Sequence, residues 1–295
     1  STITLSAGGS GGTVTQGVSG SLSATNLALL GGNVTLEHSA NAISTLAASG
    51  VTTLTYADNN ALTIGTVGAT TGINATGPVR IETLSGDLTV TQNIATTNTG
   101  TSALILNAGK ATAAGTITGG NLLISGAPTV TIGSGGRATL YSGSIDGSTG
   151  VTSLVGSGSG RFRYNSDEST TNYTAALGSG LHGIYRENPT VSVAVENKTM
   201  TYGDALPTWT YTTSGMVNGD QVAQAFASPS VSVGGTTSTS GSYTAGNHTL
   251  TASGMTSSQL GYSVGTLTNG TMTVNTKSTT VSGLTAADKV YDGTT

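Results

Sequence analysis

The sequence contains no cysteine, and of its 295 residues only 7% are charged, 4% are aromatic and five are proline. Without cysteine neither a disulfide framework nor a thiolate metal site can be built. No apolar run approaches the roughly 20 residues that a helical membrane span requires. The chain opens on Ser1-Thr2-Ile3-Thr4-Leu5, with no charged and then apolar leader. Its nine lysines and arginines are scattered, Arg161 and Arg163 being the one close pair. The basic stripe with which nucleic-acid binders displace counterions is therefore missing, and no nucleic-acid partner is expected.

What is present is glycine (45), threonine (57) and serine (36). Disorder goes with few apolar residues and high net charge, whereas here hydrophobic residues reach 35% and the formal charge is only −4. The apolar residues are mainly Val, Ile and Leu set among Thr, which are strand formers. Glycine and β-branched residues interrupt every stretch long enough for a stable helix. An all-β chain with small polar residues outside is expected.

From residue 1 to about 145, short alternating stretches recur between Gly, Asn and Ser turns: residues 31–36 (GGNVTL), 60–64 (NALTI), 77–81 (GPVRI), 86–90 (GDLTV), 102–106 (SALIL) and 119–124 (GGNLLI). Apolar residues alternate with Thr in most of them, so one face packs inward. Leu88, Leu104 and Leu122 lie 16 and 18 residues apart, and the Thr-apolar-Thr triplets centred on Val14, Leu54, Val90 and Val130 lie 40, 36 and 40 apart. Both series predict a parallel β-solenoid with coils of 16–20 residues, the second at two coils per step. Beyond Gly156 the texture changes to Gly-Ser patches, local charge and three tyrosines by residue 185, which reads as a cover for the last coil's open edge. Strand patterns at intervals of about ten residues then predict a small β-sandwich or β-grasp-like module. Tyr202 and Tyr291 lie 89 residues apart, about one module length. The sequence begins and ends in mid-pattern, and a piece of a longer protein is expected.

The coil motifs GGNVTL, GDLTV and GGNLLI resemble the β-helix repeats of the large filamentous-haemagglutinin-like adhesins of Gram-negative bacteria, which are exported by two-partner secretion. Residues 161–189, RFRYNSDESTTNY through YRENP, are similar to the segment that often ends that family's helix. TYGDALP (201–207), TYTTSGMVNGD (210–220) and GTLTNGTMTV (265–274) look like its MBG module, named for a proposed mucin or glycan-binding role. AADKVYDGTT (286–295) looks like the start of a related YDG repeat. The resemblance implies a right-handed parallel β-helix over residues 1–160, a helix-closing segment over 161–188, an MBG-like β module over 189–275 and an incomplete YDG-type repeat over 276–295. It also implies a secreted or cell-surface fibre with a host glycan or biofilm polysaccharide as ligand. An outer-membrane transporter is expected as partner during export, and self-association is a further possibility. Neither a cofactor nor a bound metal is expected.

Some β-helices cleave polysaccharides, and such a site needs carboxylates converging on one groove. Glu37, Asp58, Glu82, Asp87 and Asp146, with Arg80, Lys110 and Arg137, are the groups available. Arg80 and Glu82 share one face of a strand, where an exposed ion pair is the commoner outcome. His38, His182 and His248 show no ligand spacing and are expected on the surface or in turns. Gly133-Ser134-Gly135-Gly136 reads as a turn rather than an anion cradle, since no helix follows. Six Asn-x-Thr sequons, at Asn33, Asn74, Asn172, Asn197, Asn247 and Asn269, leave glycosylation open. For saccharide binding the best groups are aromatic faces with hydroxyl-accepting acids nearby: Tyr202, Asp204, Trp209, Tyr211, Asp220 and Tyr262. A lone Trp is also a natural core residue, and Tyr202-Gly203-Asp204 and Asn218-Gly219-Asp220 are natural turns. The expected function is non-catalytic attachment through weak contacts repeated along one chain. The alternatives are a structural stalk or self-associating filament subunit without a ligand, and a β-helix polysaccharide lyase or hydrolase.

Overall fold

The computed structural model describes residues 1–226, 230–255, 258–288, 290, 291 and 293. It is all-β: the helices among the described residues, Val151–Val155 and Val222–Ala225, are little more than single turns. The chain divides into two compact units, one of Ser1–Val193, Thr213–Ser230 and Ser253–Thr266, the other of Ala194–Thr212, Val231–Ala252 and Leu267–Thr295.

The first unit holds a 15-stranded sheet curled into a half-barrel. Its registered strand pairs are parallel. The chain returns repeatedly to the same ladders, so equivalent residues stack in columns. One column runs Ile3, Leu27, Leu46, Ile64, Val90, Ile124. Another runs Val14, Val34, Leu54, Val79, Leu104, Ala138, Leu181. Beside it stand Leu36, Tyr56, Ile81, Leu106, Leu140, Gly183 and Phe162. Most of these side chains are fully withdrawn from solvent, and each buried Leu or Ile contributes about 1.5–3 kcal/mol relative to exposure. Gly183 keeps the third column closed: a Cβ there would meet the Phe162 ring at 2.8 Å.

The columns correct the expected period. Successive partners Leu27, Leu46 and Ile64 are 19 and 18 residues apart, but Val90 and Ile124 follow at 26 and 34. Leu88 stacks directly on Leu122, and Leu104 belongs to the other ladder, beside Val79 and Ala138. The Thr triplets at Val14 and Leu54 are indeed two strands apart, with Val34 between them. Those at Val90 and Val130 lie in other ladders, beside Ile64 and Ile94. A Thr-apolar-Thr triplet marks any strand with one inward face and does not name its ladder.

Polar groups close the corners. Asn41, fully buried, accepts hydrogen bonds from Leu22 N (2.9 Å) and Gln16 Nε2 (2.6 Å) and donates to Ala57 O (3.1 Å). Asp58 accepts from Ile43 N (2.8 Å) and the Tyr56 hydroxyl (2.7 Å), and burial still raises its carboxyl above the usual range. Arg186, 1% exposed, donates to the carbonyls of Ala108 and Gly120, both at 2.7 Å. Within the expected closing segment, Phe162–Arg163 and Gly180–Tyr185 are strands of the large sheet.

Besides the short antiparallel pair Thr66–Val67 and Thr70–Thr71, two smaller sheets are present. A three-stranded one orders Tyr211–Ser214, Thr190–Val195 and Ser263–Thr268, and a four-stranded one orders Lys198–Thr201, Gly270–Asn275, Gly246–Ser253 and Ser230–Val233. In the latter the first pair is parallel and the second antiparallel. Residues 276–288 carry neither strand nor helix and are exposed. The expected opening of a second module falls partly on residues 289, 292, 294 and 295, which lie outside the described residues.

Candidate functional site

The sequence candidates fall into two groups with different surroundings. In the second unit, residues 201–204 form a tight turn between Thr201 and Asp204: Asp204 N donates to Thr201 O (3.0 Å), Thr201 N donates to Asp204 Oδ2 (3.2 Å), and Gly203 takes φ +84. The turn holds Tyr202 at the surface, its N–H donating to Asn275 O (2.9 Å) and its hydroxyl to Ser238 Oγ (3.0 Å). Hydrogen bonds with Ser238 and Ser240 pull the phenol below its usual range. Beside it a shallow cleft of about 140 Å³ is lined by Met200, Asp204, Leu206, Gly241, Ser242 and Tyr243. Leu206 is 52% exposed there. Aliphatic and aromatic walls with one carboxylate and a hydroxyl fit the apolar face and hydroxyl edge of a sugar ring. Trp209 and Tyr211 are half-buried and do not line this cleft.

Asp220 and Tyr262 belong to the first unit and are buried, 4% and 5% exposed. Asp220 Oδ2 accepts from the Tyr164 hydroxyl (2.7 Å) and the Tyr262 hydroxyl (3.0 Å), and the two rings meet at 4.5 Å. Burial raises Asp220 despite both hydroxyls, and raises both tyrosines. The expected turn is present, with Asn218 and Gly219 both at positive φ and Asp220 N donating to Val217 O (3.0 Å). Gly261 passes so close to Tyr164 that a Cβ would stand 2.2 Å from its carbonyl oxygen. These two residues are therefore corrected from ligand contacts to a packing network: their polar atoms face one another in the interior.

The Arg80–Glu82 ion pair forms, but Glu82 is 1% exposed and not a surface group. Lys110 pairs with its other oxygen, and Glu168 also pairs with Arg80. Asp87 Oδ1 accepts from Asn121 N at 2.8 Å. His182 and His248 are likewise buried rather than exposed. The turn at Gly133–Gly136 is as expected, closed by Gly136 N donating to Gly133 O (2.9 Å). Among the described residues no group of three or more His, Asp or Glu could hold a metal ion, and no helix is long and apolar enough to cross a membrane.

Residues 191–273 match the MBG domain of the YGX type. The match spans under a third of the chain and contains all six sequence candidates. The chain's one Tyr-Gly pair, Tyr202-Gly203, lies within it and forms the turn beside the cleft. No curated protein and no solved structure matches the chain. The MBG match draws on both compact units: its Tyr202 turn lies in the second, and its Asp220 and Tyr262 in the first. Tyr243, Leu206 and Met200 were missed from sequence. Tyr243 sits in a Ser/Thr-rich stretch 41 residues from Tyr202, and no local pattern links the two.

Proposed function

We propose that this chain is a non-catalytic segment of a filamentous-haemagglutinin-like bacterial surface adhesin, exported through an outer-membrane transporter and working outside the cell. In this reading the stacked parallel sheet is a right-handed β-helix that carries the MBG domain, and the domain attaches weakly to a glycan or matrix polysaccharide. Repetition along a longer chain would turn weak contacts into avidity. The MBG match over residues 191–273 is the observation that carries this. The cleft at Met200, Asp204, Leu206 and Tyr243 supplies a surface of suitable chemistry. The carboxylates that a lyase or hydrolase reading would use support the same view, since Glu82 is held by Arg80 and Lys110 and Asp87 caps Asn121 N.

The test is binding of the chain to a panel of bacterial exopolysaccharides and host glycans, with new reducing ends followed in the same samples. Saturable binding to one class without cleavage is the expected outcome. Release of sugar ends abolished by Glu82→Gln would replace the reading by an enzyme, and absence of both binding and cleavage would make the segment a stalk.

A further inference from the structure

Four of the five arginines, Arg137, Arg161, Arg163 and Arg186, have no carboxylate oxygen within 4.0 Å among the described residues. Three of them gather on one face at the end of the large sheet. Register sets Arg137 beside Gly180 and Thr139 beside His182. On the following strand Phe162 pairs with Gly183 and Arg163 with Ile184, which brings Arg161 alongside His182. Gly180 leaves the gap that Arg161 occupies: a Cβ there would lie 2.0 Å from Arg161 Nη1.

The donors of these guanidiniums are unequally used. Arg163 is buried and spends its N–H groups on the carbonyls of Gly160, Phe162, Ala175 and Ala176. Arg137 and Arg161 are half-buried, and each donates once to a backbone carbonyl, of Leu177 (3.2 Å) and Ser179 (2.9 Å). A guanidinium has five donors, so most of theirs are left over, and Arg137 Nε is buried without a partner. His182, 3% exposed, is pushed down to about 4 by burial and by the three arginines, and stays neutral at pH 7. Three positive charges thus share a partly desolvated face with no acid in hydrogen-bonding reach. Such charge is costly unless it is paired, and the planar fork of Arg suits carboxylate and sulfate oxygens taken two at a time.

We infer that Arg137 and Arg161 bind a single anionic group, a uronate carboxylate or a sulfate ester, of an acidic polysaccharide. The choice of a saccharide rests on the proposed function, while the anion follows from the guanidiniums alone. A nucleic acid fits less well, because its affinity comes from many phosphates neutralised along a charged track. Here two forks stand together on a chain of net charge −4. The site uses no residue of the second unit, so it adds a contact independent of the Tyr202 cleft.

The experiment measures binding of the whole chain to oligogalacturonate, sulfated dextran, neutral dextran and a short duplex DNA, each at two salt concentrations. Oligogalacturonate or sulfated dextran is expected to bind saturably and to weaken with salt. Arg161→Gln should reduce that affinity about tenfold, the scale of losing a hydrogen bond to a charged group, with Arg161→Lys intermediate. Arg137→Gln should behave in the same way, each variant being first shown to keep the wild-type circular dichroism spectrum. The inference is overturned if neither acidic saccharide binds, if the folded Gln variants bind as well as wild type, or if duplex DNA of equal charge binds more tightly. Failure of the adhesin reading looks different: loss of glycan-panel binding through the Tyr202 cleft would leave the dependence on Arg161 intact.

Discussion

The two units are made from the same few residue types and bury them differently. In the first, inward faces of successive parallel strands lie over one another, so Leu46, Leu54, Ile81, Leu104, Leu106 and Leu140 are wholly out of solvent. In the second, Gly246–Ser253 alternates cleanly, with His248, Leu250 and Ala252 buried and Asn247, Thr249 and Thr251 exposed. Threonine alternating with an aliphatic residue yields a half-buried strand in both. What differs is whether further strands repeat the same inward residue above and below, and that depends on strand order rather than on strand content.

This contrast is broken most directly in the columns. Leu106→Ala removes a side chain stacked between Ile81 and Leu140, and a loss of about 2–5 kcal/mol in urea unfolding is expected. A loss below about 1 kcal/mol would show that the columns are not the principal core.

The next largest effect depends on pH. His182 falls from 6.5 to about 4 in the fold. The unfolded chain therefore takes up the proton first as pH drops, and stability present above 6.5 is lost as pH falls through 4. The full shift corresponds to roughly 3 kcal/mol. Asp58 and Asp220, whose carboxyls are raised, act in the opposite sense by losing stability as pH rises. Comparison with His182→Gln separates the terms: the variant should lose less stability between neutral pH and pH 4, and identical slopes would rule the imidazole out.

Much of this was legible in the sequence. The alternation of Thr with Val, Ile and Leu marked the strands, the turns at Gly133, Gly203 and Gly219 were placed correctly, and the Tyr202 motif located the segment that matches the MBG domain. The ladder assignment was not legible, because insertions lengthen the later returns to the ladder and leave no local signal. Nor was the burial of Glu82, whose second cation, Lys110, lies 28 residues away, while Arg80 is shared with Glu168 from 88 residues away. Asp220 and Tyr262 looked like exposed hydroxyl-readers because their partner, Tyr164, lies 56 residues before the first of them.

That network gives a smaller effect. Tyr262→Phe keeps the ring on Tyr164 but removes the hydroxyl from Asp220 Oδ2, whose other oxygen already has no hydrogen-bond partner. A loss of about 1.5–3 kcal/mol is expected, the range for a hydrogen bond to a charged group. A neutral result would mean that Tyr164 alone satisfies the carboxylate.

The smallest stability effect belongs to the exposed cleft, where the comparison is sharpest. Leu206 is 52% exposed, and Leu206→Ser should change unfolding free energy by no more than about 0.5 kcal/mol. The same change removes an apolar wall of the cleft that Tyr243 and Asp204 also line, so saccharide binding through this cleft should weaken while stability holds. Leu106→Ala should do the reverse at temperatures where it remains folded, lowering stability without touching the cleft. If Leu206→Ser left binding to the glycan panel unchanged, the cleft would be an ordinary surface depression, and the half-buried Trp209 and Tyr211 would become the next residues to substitute.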